Sequence, residues 1–440
     1  MILLIVGVTG FAVSSGFAGD PNQHLREILP NGLTVIIKHN PDSRVFGVDI
    51  LGKNRAAWED DNLAGITDFV NRMLTQGTEN KNAEQIQEAL DDIGAQITTN
   101  DDPHLPYDDR YTWRAFSFIK FQTIDEYAEK GLDILYELVA RPSFPEQEIQ
   151  KTKMQVNGIL GMESASTGQV CRNLYYSELF KGHPYAKTVL GNRQSVANIN
   201  RELLLLHHKK YYSPANLILT IVSNYEPPKV MKWVKKRFGK MQPYPAKSPI
   251  VQIPQATSTV IEQKQKMEKE QVYIYLGNIV PGYRSSDASA LILAAQILSS
   301  RLGLNLREKQ GLAYSVGSDV AFLGDFGWYV VAMGTGYQNF HTAKAGILSE
   351  MRGLSANPPE QAELDKARNS LWGSALMRNM NTVNQAYNMA YYEFIGMPFN
   401  YDDEIMKSLK NVTVDDIERV SGQYFQADRY VLAYVGKYED

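Results

Sequence analysis

The sequence predicts an α+β protein of two homologous domains, each with a mostly antiparallel sheet packed by helices. Three observations carry this. The chain repeats itself: residues 199–225 read INRELLLLHHKKYYSPANLILTIVSNY and residues 412–438 read VTVDDIERVSGQYFQADRYVLAYVGKY. The offset, from 199 to 412, is 213 residues, and it pairs Tyr211 with Tyr424, Tyr212 with Phe425, Leu219 with Leu432, Val222 with Val435 and Tyr225 with Tyr438. In each copy an amphipathic helix ends at an aromatic pair, turns, and enters an apolar strand. A period this long means duplicated domains rather than a solenoid. The second observation is length: 440 residues exceed one ordinary core. The third is the mixture of short alternating strands and amphipathic helices joined by tight turns, which favours antiparallel sheets over a doubly wound fold.

The elements follow in order. Met1 to Ala18 is apolar and small, ending Gly16-Phe17-Ala18, and reads as a secretory signal cleaved after Ala18, although its start carries no Lys or Arg. A first domain is expected over 19–240. Gly32–Lys38 is a strand after an Asn31-Gly32 turn, and Val45–Ile50 alternates as a second. Asn62–Gln76 is an amphipathic helix with Leu63, Ile66, Phe69, Val70, Met73 and Leu74 on one stripe and Asp68, Asn71, Arg72 and Thr75 on the other. Asp68 and Arg72 stand at i, i+4 with the acid first, the favourable ion-pair order. A strand is expected at Tyr111–Phe116. Leu132–Ala140 is a helix stopped by Arg141-Pro142, and Pro145–Leu160 restarts as a long helix. The proline-rich stretch 241–257 is the expected linker to a second domain over 258–440.

Composition narrows the function. Hydrophobic residues at 44% and charged residues at 21% are ordinary for a soluble globular protein. The net charge of −4 and the lack of a basic run give no electrostatic support for nucleic-acid binding. After the signal, no segment reads as a membrane span. Cys171 is the single cysteine, which rules out an intrachain disulfide or a thiolate zinc site and makes it a packed residue. His207 and His208 are adjacent and point in different directions on a helix, so they do not chelate together. No His, Asp and Glu cluster has metal-ligand spacing, and the metal call for this chain is none.

The segment Gly65-Ile66-Thr67-Asp68-Phe69-Val70-Asn71-Arg72-Met73-Leu74-Thr75-Gln76-Gly77-Thr78 resembles the zinc helix of the pitrilysin/insulinase family of metallopeptidases, Gly-Leu-x-His-Phe-x-Glu-His-Met-Leu-Phe-x-Gly-Thr. Gly65, Phe69, Met73, Leu74, Gly77 and Thr78 keep the frame. The ligand and base positions read Asp68, Asn71 and Arg72, and arginine cannot ligate zinc. The family's third ligand is a Glu in the later long helix, but Ile149–Leu160 holds no acid, and Glu148 and Glu163 lie outside that window. Gly182-His183-Pro184-Tyr185 resembles a structural turn of the family.

The second half carries Leu306-Arg307-Glu308-Lys309-Gln310-Gly311-Leu312-Ala313-Tyr314, which resembles the family's C-terminal motif Leu-Arg-Glu-x-x-Gly-Leu-x-Tyr. The resemblance implies that Arg307 and Tyr314 reach across a cavity between the two domains to bind substrate and stabilise an oxyanion; a guanidinium fork and a phenol suit that task. The alternative is that Arg307 pairs with Glu308 and Tyr314 is a core aromatic. Gly334-Thr335-Gly336-Tyr337 resembles a strand-end turn that lines the cavity. The resemblance implies a subunit inactive alone, with no cofactor in this chain. Its partner would be a homologous subunit with intact His-x-x-Glu-His supplying zinc and the Glu base, and the substrate a peptide or unfolded polypeptide. The expected location is periplasmic or secreted. The competing reading is a non-enzymatic scaffold or peptide-binding protein. One departure is the acidic, proline-containing insertion 101–109, which puts edge-strand peptide binding in doubt.

Overall fold

The computed structural model describes residues 24–100, 113–246 and 248–438. The signal segment, the insertion at 101–109 and Tyr111 lie outside the described residues. The first sheet comprises β1 (His24–Ile28), β2 (Thr34–His39), β3 (Val45–Lys53), β4 (Gln96–Thr98), β5 (Phe116–Ile124) and β6 (Leu217–Ser223), in the order β1-β2-β6-β3-β5-β4. The second comprises β7 (Val260–Lys266), β8 (Gln271–Pro281), β9 (Ala313–Phe322), β10 (Phe326–Gly336) and β11 (Tyr430–Gly436), in the order β7-β11-β8-β10-β9. Each sheet has one parallel pair, β2 with β6 and β7 with β11, and is otherwise antiparallel. Stripped of β1, the first sheet has the topology of the second.

The internal repeat has direct structural content. Helix Arg201–Tyr211 leads to β6, and helix Val414–Tyr424 leads to β11, element for element at the offset of 213. The caps repeat as well. Asn200 accepts a hydrogen bond from the Leu203 amide and Thr413 from the Asp416 amide, each satisfying a donor that the first helical turn leaves open.

The two halves exchange one helix each. Helix Thr167–Leu179, from the first half, packs on β8 and β11 of the second sheet. Helix Thr382–Phe394, from the second half, packs on β3 and β6 of the first. Both contacts are close. Cys171 is fully buried, and its thiol donates to the carbonyls of Tyr273 and Ala433 at 3.3 Å. The Tyr175 hydroxyl donates to the Tyr329 carbonyl at 3.1 Å. Gly277 permits that approach, since a Cβ there would lie 2.4 Å from the Tyr175 hydroxyl. In return, Thr220 donates to the Ala386 carbonyl at 2.7 Å. Separating the halves would expose buried polar groups as well as apolar surface, so the seam is held by both terms.

Three expected boundaries are corrected. The 62–76 helix is broken: Asp61–Leu63 is a single 3₁₀ turn, and the α-helix runs Ile66–Met73. Gly65 causes the break, at φ 88°, in a left-handed conformation where a Cβ would lie 2.4 Å from the Leu190 backbone. The strand expected from Tyr111 begins at Phe116. The chain ahead of it bonds elsewhere, with the Arg55 and Ala56 amides donating to the carbonyls of Ala115 and Arg114. The long helix runs Glu146–Ala165, so Glu163 lies inside it. The apolar helix Ala288–Leu302 and the turn after it are long and apolar enough to cross a membrane. In this fold the helix forms core, with Leu291, Leu293, Leu298 and Leu302 fully buried.

Candidate functional site

The helix Ile66–Met73 has no solvent stripe. Asp68 and Asn71 are 2% and 3% exposed, and the Arg72 side chain is 11% exposed. The face that the sequence assigns to polar residues is therefore packed, and its groups satisfy one another. Arg72 Nε donates to Asp68 Oδ2 at 2.5 Å. Arg55 stands on the other side of the same carboxylate, Nη2 to Oδ1 at 3.7 Å. Asn71 donates its amide to the carbonyls of Thr99 (2.7 Å) and Phe118 (3.4 Å), and accepts from the Tyr212 hydroxyl at 2.5 Å. It joins the helix to the ends of β4 and β5 and to the helix Arg201–Tyr211.

Sequence reasoning missed two members of this cluster and set a third aside. Arg55 opens an earlier 3₁₀ turn, Arg55–Trp58, and Glu59 follows it; both are buried. The Glu59 carboxylate accepts from the amides of Gly65 (2.8 Å) and Thr67 (3.2 Å), capping the helix from outside it. Burial raises its pKa, opposed by Arg55 and by those hydrogen bonds. Glu163 is the third. Burial raises its pKa as well, and its electrostatic neighbours are Arg172, Asp68, Arg114 and Arg72. The i, i+4 acid–base spacing of Arg55 and Glu59 was the available signal. Glu163 was obscured by the helix end placed at Leu160.

This cluster does not fit zinc. Asp68 is committed to Arg72 and flanked by Arg55, Asn71 presents its amide to two carbonyls, and Arg72 brings a fixed positive charge where a cation would need a ligand. Among the described residues, no three or more His, Cys, Asp or Glu side chains form a group that could hold a metal ion. His183, His207 and His208 are held in structural contacts. His207 Nε2 lies 2.9 Å from the Thr67 hydroxyl, and burial lowers its pKa to about 3. His208 Nε2 donates to the Val139 carbonyl at 2.8 Å, with a pKa lowered to about 4 by burial. His183 accepts from the Tyr185 amide and donates to the Gln252 carbonyl, binding its turn to the 241–257 stretch.

The second-half motif is arranged in the opposite way. Arg307 sits on a π-helical turn, Gly303–Lys309, and is exposed. Among the described residues its guanidinium has no hydrogen bond or ion pair, Glu308 included. Tyr314 is the second residue of β9, an edge strand of its sheet, and is 69% exposed, so it is no core aromatic. Leu306, one residue earlier, is buried and anchors the turn. Thr335, in Gly334–Tyr337, donates to the Leu312 carbonyl at 2.6 Å. That strand end therefore fixes the backbone between Arg307 and Tyr314.

A cavity of about 200 Å³ lies between the halves, walled by aromatic rings including Trp113, Tyr176, Trp328, Tyr387 and Tyr391. Its walls come from both halves, but neither Arg307 and Tyr314 nor Asp68, Asn71 and Arg72 are among the residues that line it.

Residues 34–193 match the family model described as insulinase (peptidase family M16), and residues 198–371 match the model of the M16 peptidase inactive domain. The chain belongs to the pitrilysin/insulinase (M16) family. It is a peptidase-like M16 protein whose second half carries the family's inactive domain. It is 24% identical to the uncharacterized zinc protease YmxG of Bacillus subtilis over 93% of this chain and 97% of that one. It is 20% identical to the probable mitochondrial-processing peptidase subunit beta of Arabidopsis thaliana, over 94% and 78% respectively. The crystal structure of a peptidase M16 inactive domain from Pseudomonas fluorescens shares the fold, with a TM-score of 0.85 and 19% identity, covering 94% of this chain and 98% of that chain.

Proposed function

We propose that this M16 chain is the metal-free subunit of a two-subunit zinc peptidase. Arg307 and Tyr314 would serve in trans, binding substrate and stabilising the oxyanion. A homologous subunit with intact His-x-x-Glu-His would supply the metal and the base. The observation that carries this reading is a contrast in pairing. The old metal helix has every polar group bound internally, whereas Arg307 and Tyr314 are held out into solvent on an anchored backbone. A relic under no functional demand would more readily have collapsed onto Glu308 or into the core. A preorganised donor aimed at developing negative charge is worth most where the protein has already met the cost of holding it in place. That the Arabidopsis relative is named as one subunit of a peptidase also supports the reading. The substrate class is peptide or unfolded polypeptide, and the location periplasmic or secreted.

The test is reconstitution. This chain alone should be silent on a mixed unfolded-peptide substrate, and a complex with its His-x-x-Glu-His homologue should show chelator-sensitive cleavage. In that complex Arg307→Ala should lower kcat by about one to three decades. Unchanged turnover would remove Arg307 from the chemistry, and silence of the pair would leave the scaffold reading standing.

A further inference from the structure

Tyr314 owes its exposure to an irregularity in the sheet. β9 and β10 pair residue for residue from Phe322 with Gly327 to Ser315 with Gly334, but Thr335 pairs next with Ala313. Tyr314 is the residue left over, so a β-bulge is centred on it. Tyr314 and Ser315 are accordingly both exposed, a break in the alternation of a regular strand. Among the described residues this is the only register shift in either sheet. β4 and β5 hold in the first sheet the places that β9 and β10 hold in the second, and they pair without one. The bulge therefore belongs to the half that carries the motif. Arg307 also sits on an irregular turn, the π-helical Gly303–Lys309, which Asn305 pins by donating to Glu350 at 3.0 Å. An extra residue interrupts the ladder of a strand, and bulges recur where a side chain must be re-aimed.

One hydroxyl closes the bulge. Thr335 is fully buried, and its Oγ1 donates to the Leu312 carbonyl at 2.6 Å. The Leu312 amide donates in turn to the Leu306 carbonyl at 2.8 Å. Leu312 is thus tied by its amide to the residue before Arg307 and by its carbonyl to the strand facing the bulge. Threonine suits the task, because β-branching restricts χ1 and keeps the hydroxyl aimed. We propose that Thr335 is a positioning residue: its hydroxyl locks the bulge that holds the Tyr314 phenol out, at a fixed distance from the Arg307 guanidinium. The role in turnover rests on reading Tyr314 as a group that meets substrate; the lock is a property of this chain alone.

The test has two readouts. In the full chain without a partner, Tyr314 alone is labelled as 3-fluorotyrosine and its fluorine resonance is recorded. Thr335→Val keeps the shape and removes the hydroxyl, so it should shift or broaden that resonance. Thr335→Ser keeps the hydroxyl and should leave the resonance in place. In the reconstituted complex, Thr335→Val should lower kcat by about tenfold to a hundredfold, the cost of a misplaced group, with KM changed less. Thr335→Ser should recover most of that loss. In a Tyr314→Phe chain, Thr335→Val should add less than about a twofold loss, because the two residues act as a unit. An unmoved resonance in Thr335→Val, or one moved equally by Thr335→Ser, overturns the lock. Unchanged kcat in Thr335→Val where Tyr314→Phe is impaired, or an additive loss in the double variant, overturns the positioning role. A silent complex, or a Tyr314→Phe chain with full turnover, counts against the two-subunit reading, and the resonance still decides the lock. Where Thr335→Val does not fold, as checked by its Tm, Thr335→Ala removes the hydroxyl without crowding the site and takes its place.

Discussion

Arg72 donates to Asp68 at 2.5 Å across one turn of a helix, the carboxylate buried and the guanidinium side chain 11% exposed, and the resemblance aligns the two with positions that the family's motif gives to zinc ligands. The guanidinium supplies the positive charge that the buried carboxylate needs. Breaking the pair from one side leaves a buried charge whose attraction is lost and whose desolvation remains. Arg72→Met should therefore cost about 3–5 kcal/mol of stability, whereas Asp68→Leu with Arg72→Met should cost less than the sum of the single changes. Chemical denaturation of the four proteins in this cycle measures the coupling; strict additivity would show the pair to be unimportant.

The resemblance aligns Asn71 with the position of the family's catalytic Glu. Its amide donates to two backbone carbonyls and its oxygen accepts from Tyr212. A carboxylate would set negative charge against the Thr99 and Phe118 carbonyls and lose both donors. Asn71→Glu should destabilise the chain more than Asn71→Ala, which itself should cost roughly 1–3 kcal/mol for the groups left unsatisfied. Comparing the two melting temperatures checks this. An Asn71→Glu variant as stable as wild type would mean that the site can still be re-armed.

Much of this fold was legible in the sequence because it is written twice. The 213-residue repeat located β6 and β11 and their preceding helices, since amphipathic periodicity and strand patterning survive divergence. The exchange of helices Thr167–Leu179 and Thr382–Phe394 was not legible, because periodicity shows that a helix has a buried face and not which sheet covers it. Arg307 and Tyr314 were legible as a motif, but their exposure was not. The burial of Asp68, Asn71 and Arg72 was hidden for a related reason. Polar residues on a helical stripe read as a solvent face, and only tertiary partners, such as Tyr212 and the Thr99 carbonyl, reveal a packed polar one.

Arg307 and Tyr314 should separate stability from activity. Both are exposed on a turn and strand anchored by other residues, so Arg307→Ala and Tyr314→Phe should change the stability of this chain by less than about 0.5 kcal/mol. Under the two-subunit reading the same variants lower turnover of the reconstituted complex. A clear loss of stability in Arg307→Ala would instead point to a structural role.

Cys171 should be unreactive in the folded chain. Its thiol is fully buried beneath β8 and β11, and burial pushes its pKa far up, so the thiolate that reacts is scarce. A thiol reagent should label it only as fast as the helix Thr167–Leu179 leaves the second sheet, and a denaturant should restore full reactivity. Rapid labelling under native conditions would show that the seam between the halves opens readily.

Asp49 gives the fold a pH dependence that can be isolated. It lies on β3 opposite Lys120 of β5, it is fully buried, and among the described residues neither of its carboxylate oxygens has a hydrogen-bond partner. Burial raises its pKa to about 8, with Lys120 opposing. Lys120 also donates to Asn384 and stands over the Tyr387 ring, both on the helix contributed by the second half, so the charge state of Asp49 is felt at the seam. The sign follows from linkage. Below about pH 4 both folded and unfolded chains hold the proton; between about 4 and 8 only the folded chain does, so this residue's contribution to stability falls as pH rises. His207 and His208 act in the reverse sense, since their lowered values cost stability as pH falls from about 6.5 towards 4. Asp49→Asn leaves the histidines in place. The difference in stability between variant and wild type should therefore shift in the variant's favour by at least ~1 kcal/mol between pH 5 and pH 8. Denaturation curves at the two pH values measure that difference, and a constant offset would mean that Asp49 ionises normally inside the fold.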